Sequence, residues 1–460
     1  MTFDFDRVIN RRATNAAKWD LADEDTIPLW VADMDFASPP AVVEALQDRV
    51  DHGVFGYPLP TDAYYEAFLD WERSALGSEI QREWVVHCSA VMPAVKTAIL
   101  ACSDPGDAVV VQPPIYKPFF LSVTENDRRL VRNPLRLDGR RYTMDIPHLR
   151  RVVKEEQPKI LLLCSPHNPV GRVWTAAELG ELADICVEHG VVVVADEIHC
   201  GLVFDEHRFV PFAEISPRAA QICVACHSPS KTFNIAGLPT SQIVIPNGDL
   251  RRRFKTVLAG LGHGSSGVLS LLAAEVAYRE GEPWRRAMMD YIDGNRRWLA
   301  SYVEREIPGA SMLPLEGTFI PWIDFREAHE SLGLDPAEFS RLLRDSANVW
   351  LHEGPWFGRE GAGFQRVNIA CPRSMLEEAM SGTVSLVVGQ FARIQWTRQS
   401  YRGAALRKRL AALKITRGLA VSPGHGEQDT DKWYKDFRAS DFSSEELQNA
   451  AFEVLLYALK

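Results

Sequence analysis

Between residues 83 and 244, short apolar runs alternate with segments whose apolar positions recur at helical spacing. The runs fall at 84–87, 108–112, 160–164, 191–195, 222–226 and 242–245, each of strand length. Segment 175–188 sets Ala176, Leu179, Leu182, Ile185 and Cys186 on one helical face. Apolar strands joined through helices predict right-handed βαβ crossovers and a mainly parallel sheet sandwiched by helices. The fold class is therefore α/β. Functional groups are expected on loops at the carboxyl ends of the strands.

Helical character dominates 250–305, followed by strand-like 319–324, a helix near 335–346 and a strand candidate at 366–370. That order predicts a large domain over 45–286 and a smaller α+β domain built from 1–44 and 287–384. Residues 385–460 read as a helical extension. It holds a basic helical pattern at 392–414, a loop at Ser422-Pro-Gly-His-Gly426, and a capping box in Ser443-Ser-Glu-Glu446 ahead of an apolar helix at 447–459. The extension is expected to pack on the body, with a partner-docking arm as the alternative.

Composition narrows the function classes. Among 460 residues, 46% are hydrophobic and 24% charged, ordinary for a globular chain and unlike a disordered or fibrous one. A net charge of −10 argues against nucleic-acid binding through a global basic field, and the basic helix reads as a solvated face. No run reaches the roughly 18 apolar residues of a membrane span. The first twenty residues mix charges throughout and show no export signal, so a cytoplasmic location is expected. The eight cysteines then read as small buried hydrophobes. Cys223-Val-Ala-Cys-His227 spells a haem-attachment pattern, but it lies in an apolar run, and no second cysteine pair or spaced histidine pair completes a zinc site. No metal is expected.

The chemistry concentrates in three loops. Asn168 sits in Ser165-Pro-His-Asn-Pro-Val-Gly171, Asp196 at the end of Val191-Val-Val-Val-Ala-Asp196, and Lys231 in His227-Ser-Pro-Ser-Lys-Thr-Phe-Asn234. Each follows an apolar run and so lands at a strand's carboxyl end. A lysine in a hydroxyl-rich loop, with an acid and an amide from neighbouring strands, suits pyridoxal 5'-phosphate. The lysine forms a Schiff base with the aldehyde, and a carboxylate at the pyridine nitrogen makes the ring an electron sink. The asparagine donates to the ring oxygen, while serine hydroxyls and free backbone N–H groups receive the phosphate. Gly262-His-Gly-Ser-Ser-Gly267 spells a dinucleotide fingerprint, but a helix-like stretch precedes it where a strand is required.

These residues resemble fold-type I pyridoxal phosphate enzymes of the class I/II aminotransferase family, and more narrowly its cystathionine β-lyase branch, the MalY/PatB-like C–S lyases. The narrower likeness lies in Phe3-Asp-Phe-Asp-Arg-Val-Ile-Asn-Arg-Arg-Ala-Thr14 with Lys18-Trp-Asp20, Pro28-Leu-Trp-Val-Ala-Asp-Met-Asp-Phe36, Gly56-Tyr-Pro58, Gln112-Pro-Pro-Ile-Tyr116, Asp196-Glu-Ile-His199, Gly317-Thr-Phe319 and Arg366-Val-Asn-Ile-Ala-Cys-Pro372. It covers residues 1 to about 384. By that resemblance the large domain carries a seven-stranded-type sheet. Lys231 is the Schiff-base lysine and proton shuttle, Asp196 pairs with the pyridine nitrogen and Asn168 with the ring oxygen. Tyr116 stacks on the ring, and Ser228, Ser230 and the backbone of Ala90 and Val91 hold the phosphate. Tyr57 reaches a phosphate across a dimer interface, which implies a homodimer with composite active sites. Arg366 forks onto the substrate carboxylate, and Trp30 borders the substrate pocket. His199 stands where aminotransferases often have tyrosine.

Two stretches depart from the family pattern. Ser89-Ala-Val-Met-Pro-Ala94 lacks the usual glycine at the phosphate-binding helix start, and Leu261-Gly-His-Gly-Ser-Ser-Gly-Val268 differs from the usual segment. The activity the resemblance implies is α,β-elimination of cystathionine or a cysteine S-conjugate to thiol, pyruvate and ammonia, in specialised metabolism. Residue types do not separate this from transamination or oxidative decarboxylation–deamination. A regulatory or interaction protein that binds the cofactor is the alternative of another class.

Overall fold

The computed structural model describes residues 3–398. Its centre is a seven-stranded sheet in the order Val85–Cys88, Ser241–Val244, Cys223–His227, Val192–Asp196, Ile160–Cys164, Ala108–Val111, Arg129–Arg132. Ser241–Val244 runs antiparallel to both its neighbours, and every other pairing is parallel. All six apolar runs of the sequence became strands of this sheet. The seventh, Arg129–Arg132 at the sheet's edge, holds only two apolar residues between two arginines, so a search for continuous apolar runs passes it by.

Successive residues of the central strands enter opposite cores. Leu161 and Leu163 join one hydrophobic cluster, whereas Ile160, Leu162 and Cys164 join the other. This two-sided burial is why the strands read as unbroken apolar runs. A fully buried leucine contributes about 1.5–3 kcal/mol. Helix Ala176–His189 covers one face, started by a capping box in which Thr175 and Glu178 satisfy each other's backbone N–H.

A second, four-stranded antiparallel sheet has the order Ser311–Met312, Trp322–Asp324, Phe364–Arg366, His352–Glu353. The N-terminal segment joins it from afar, with Ile27–Pro28 pairing parallel to Val349–Trp350. The strand expected at 366–370 instead ends at Arg366. Beyond it the amides of Val367, Asn368 and Ile369 bond to Pro321, Leu29 and Phe319, alternating between two loops so that no ladder continues. Helix Arg373–Arg398 runs through residue 385. The remainder of the extension, with the capping box at Ser443-Ser-Glu-Glu446 and most of the basic helix, lies outside the described residues. Among the described residues no helix is long and apolar enough to cross a membrane, and all eight cysteines are free thiols, seven of them buried.

Candidate active site

Parallel registers bring the three loops together. Cys164 pairs with Asp196, and Asp196 with Cys226, so the loops that follow these strands leave the sheet side by side. Lys231 sits in the short helix Pro229–Thr232, immediately after strand Cys223–His227 and capped by Ser228. Its Nζ donates to the Ala32 carbonyl at 2.6 Å. Burial, with the nearby Arg366 charge, lowers this ammonium to about 8 against the opposing pull of Asp33 and Asp196. The Asp196 carboxylate accepts from the Ile198 N–H at 3.2 Å. Burial pushes its acid up to about 7, while Ile198 and the Lys231 and His227 charges work the other way.

Arg366 is buried with no carboxylate partner among the described residues. It donates to Asn168 Oδ1 at 2.9 Å and to the Trp30 carbonyl at 2.7 Å, and it meets His352 Nδ1 at 3.0 Å. Its Nε is buried without a partner, an expensive state that an incoming carboxylate would relieve. Burial lowers the guanidinium to about 9, with Tyr116 opposing. His199 is buried with an unpartnered Nδ1, and burial together with Lys231 and Arg366 drives its imidazole down to about 3, which keeps it neutral.

Ser228 Oγ lies 2.7 Å from the Thr240 carbonyl and 2.9 Å from Ser230 Oγ, and it accepts from the Ser230 N–H. Strand Val85–Cys88 leads into helix Val91–Cys102, whose N-cap Ala90 has φ −167° and supplies no side-chain cap. That backbone is extended and open to any residue, so the missing family glycine imposes no strain. The first amides of this twelve-residue helix are thus left for an anion. The second departure packs beside it, with the Ser89 amide bonded to the His263 carbonyl. Gly262 caps helix Gly248–Leu261 with φ +70°, so the G-x-G-x-x-G stretch joins two helices and follows no strand. Tyr116 is half-buried. Tyr57 stands apart from these residues, fully exposed at 106%.

A family model described as aminotransferase class I and II matches residues 24–382. The chain belongs to that family. Cystathionine beta-lyase PatB of Bacillus subtilis (strain 168) is 37% identical over 381 residues, which cover 82% of this chain and 97% of the relative. Protein MalY of Escherichia coli (strain K12) is 33% identical over 392 residues, 84% of this chain and 99% of that one. Among solved structures, a pyridoxal-phosphate-bound C–S lyase from Staphylococcus hominis superposes with a TM-score of 0.80 at 31% identity, covering 84% of this chain and 99% of its own.

Around this aminotransferase-family site lie groups that sequence reasoning missed. At the end of strand Cys223–His227, His227 is clamped between two buried glutamates, with Nδ1 2.9 Å from Glu72 and Nε2 3.0 Å from Glu197. Burial opposes its charge, but Glu72, Cys200 and Glu197 outweigh that and hold the imidazole well above its usual range. His227 precedes Ser228 and Glu197 follows Asp196, so the clamp ties two arms of the site together. Glu72, Cys200 and His227 bring potential ligand atoms within 4.8 Å of one another, yet both ring nitrogens are already engaged by carboxylates. Asn234 fixes the N-terminal segment to the Lys231 loop by donating to the Met34 and Phe36 carbonyls. The sequence signal for the clamp was a histidine ending an apolar run, which its cysteine spacing disguised as a haem motif.

Proposed function

We propose that this chain is a pyridoxal-phosphate-dependent carbon–sulfur lyase that cleaves cystathionine or a cysteine S-conjugate. The observation that carries the reading is the convergence of three groups. An amine without a carboxylate partner, a buried acid at a strand end and a buried arginine with an unsatisfied Nε lie close enough together that Lys231 feels the charges of both the others. That donor set fits the cofactor and an α-amino acid. Ser228, Ser230 and the amides of Ala90 and Val91 would take the phosphate, Asp196 the pyridine nitrogen, Asn168 the ring oxygen and Tyr116 the ring face. When bound, pyridoxal phosphate supplies an electron sink for the carbanion at the substrate Cα.

The chain's own residues then do the rest. Arg366 forks onto the α-carboxylate and fixes the amino acid in place. Lys231, whose amine is near half-neutral around pH 8, removes the Cα proton. Loss of that proton and of the Cβ–S bond releases the thiolate, and addition of water converts the remainder to pyruvate and ammonia. Neutral His199 lies close enough to Lys231 and Arg366 to feel both charges, and it does not compete for the proton.

The protein acts in this reading as a cytoplasmic homodimer. Its support is the exposed stretch Val54, Phe55, Tyr57 and Leu59, an apolar surface suited to a second copy that receives Tyr57 at its phosphate. Residues 45–286 form the large domain, and 1–44 with 287–384 the small one, a division supported by the pairing of Ile27–Pro28 with Val349–Trp350. Incubating the pyridoxal-phosphate-loaded protein with cystathionine and a panel of cysteine S-conjugates tests the reading. Equal yields of thiol and pyruvate are expected. Keto acid formed from ordinary amino acids, with no thiol from any conjugate, would replace it with an aminotransferase.

A further inference from the structure

Beside Arg366 runs an arc of aromatic rings that the chemistry so far leaves unused. The Trp30 and Trp350 rings stack at 4.5 Å and 11°, and Trp30 meets the His352 ring edge-on at 5.9 Å. The His352 ring lies 4.3 Å from Trp356, which lies 5.6 Å from Tyr116. The four larger rings of this chain of contacts are each partly exposed, whereas His352 is buried behind them.

The arc is built into the frame that holds the substrate. Arg366 donates to the Trp30 carbonyl and meets His352, while Lys231 donates to the carbonyl of Ala32, two residues further on. The short segment from Trp30 to Ala32 therefore spans the two groups that would hold an amino acid's carboxylate and its reacting centre. An amino acid held by these two groups would bring its sulfur-bearing substituent next to that segment and its rings.

The cations along this wall are few and mostly paired. Arg344, over the Trp350 ring at 5.5 Å, meets Asp345 at 3.4 Å, Arg132 is spent on Glu360 at 2.6 Å, and Lys117 lies 6.0 Å from the Trp356 ring. The distal half of cystathionine carries an ammonium and a carboxylate, and both would be desolvated here with too few partners. A flat π-system would instead stack or meet ring edges. Burial and the Arg366 charge keep His352 neutral, so it behaves as one more aromatic surface.

We propose that this arc selects cysteine S-conjugates whose sulfur carries a planar aromatic or heteroaromatic group, over cystathionine and S-alkyl cysteines. The inference rests on the lyase reading above, and its test separates the two. Thiol release is compared for S-phenylcysteine, S-cyclohexylcysteine, S-methylcysteine and cystathionine with wild type, Trp356→Leu and Trp30→Leu. Wild type is expected to favour phenyl over cyclohexyl by about tenfold in kcat/KM, and each variant to shrink that ratio several-fold. A ratio taken within one preparation is insensitive to partial misfolding.

Aryl thiolates also leave more readily, so binding is measured separately with analogues in which a methylene replaces sulfur. The loaded protein is titrated with homophenylalanine and norvaline, following the cofactor's visible absorption. Homophenylalanine should bind about tenfold more tightly, and Trp356→Leu should erase most of the difference. Equal affinities, or a wild-type preference for cystathionine or cyclohexyl, would overturn the proposal. If no conjugate releases thiol but homophenylalanine keeps its advantage, the lyase reading fails and the arc's selectivity stands.

Discussion

Two lysines are drawn into this protein against the same stretch of chain, and they meet it on opposite terms. Lys18 is fully buried, yet its Nζ lies 2.6 Å from Asp35 and 3.8 Å from Asp33, and it donates to the Asp33 carbonyl. Asp35 in turn receives Arg11 and the indole N–H of Trp19. Lys231 donates to the carbonyl of Ala32, the residue before Asp33, and has no carboxylate within ion-pair distance among the described residues. One amine is a closed ion pair that locks the N-terminal segment. The other has its charge made costly by burial, which leaves a neutral amine accessible near physiological pH. Segment 30–36 thus serves both as an anchored strut and as the rim of the site, and what separates the roles is the counter-ion.

The contrast breaks most sharply by deletion. Lys231→Ala should lower thiol release by on the order of 10⁴-fold, since it removes the general base. It should also abolish the cofactor's visible band while leaving the urea midpoint of the cofactor-free protein nearly unchanged. Asp35→Ala should do the reverse in kind. It strands Lys18 in the interior and should cost about 3–5 kcal/mol in unfolding free energy, measured by urea titration. A loss below about 1 kcal/mol would mean that Asp33 and the backbone alone satisfy Lys18, and the two amines would then differ less than their surroundings imply.

The His227 clamp offers a third case, a buried cation held by two acids but placed next to the chemistry. His227→Leu leaves Glu72 and Glu197 facing each other without the imidazole, so a loss of about 3 kcal/mol or more is expected. A purely structural clamp would change stability alone. Because His227 adjoins Ser228 and its charge lowers the Asp196 acid, the variant should also weaken cofactor affinity, read from absorbance titration with pyridoxal phosphate. Unchanged affinity in the folded variant would detach the clamp from the site.

The three loops were legible because each follows an apolar run, and parallel strands deliver their ends to one edge. Asn168, Asp196 and Lys231 stood out through their ordered co-occurrence after such runs, and their roles came from the family resemblance. Arg366 entered only through the family resemblance, and its dependence on Trp30 was not legible. That contact joins residues 336 apart in the chain, and the Lys231–Ala32 bond spans 199. No local pattern encodes such pairings, and the same holds for His227 with Glu72. Ala90 erred the other way. The absence of glycine looked like a departure in geometry, whereas an extended φ of −167° accepts alanine without penalty.

The subtlest way to sharpen the comparison is pH. In the cofactor-free protein Lys231 titrates at about 8, below the 10.4 or so of a lysine in the unfolded chain. Between those values the unfolded chain holds a proton that the folded protein lacks, so stability attributable to this residue rises with pH across that window. Below about 8 both states are protonated, and the residue adds no slope. Urea unfolding of cofactor-free wild type and Lys231→Met from pH 7 to 10.5 isolates the effect, because every other group cancels in the difference. The wild type should gain on the variant from about pH 8 upward. A flat difference would mean that Lys231 keeps its charge as easily as a solvated lysine, and the absence of a counter-ion would then not be what sets it apart from Lys18.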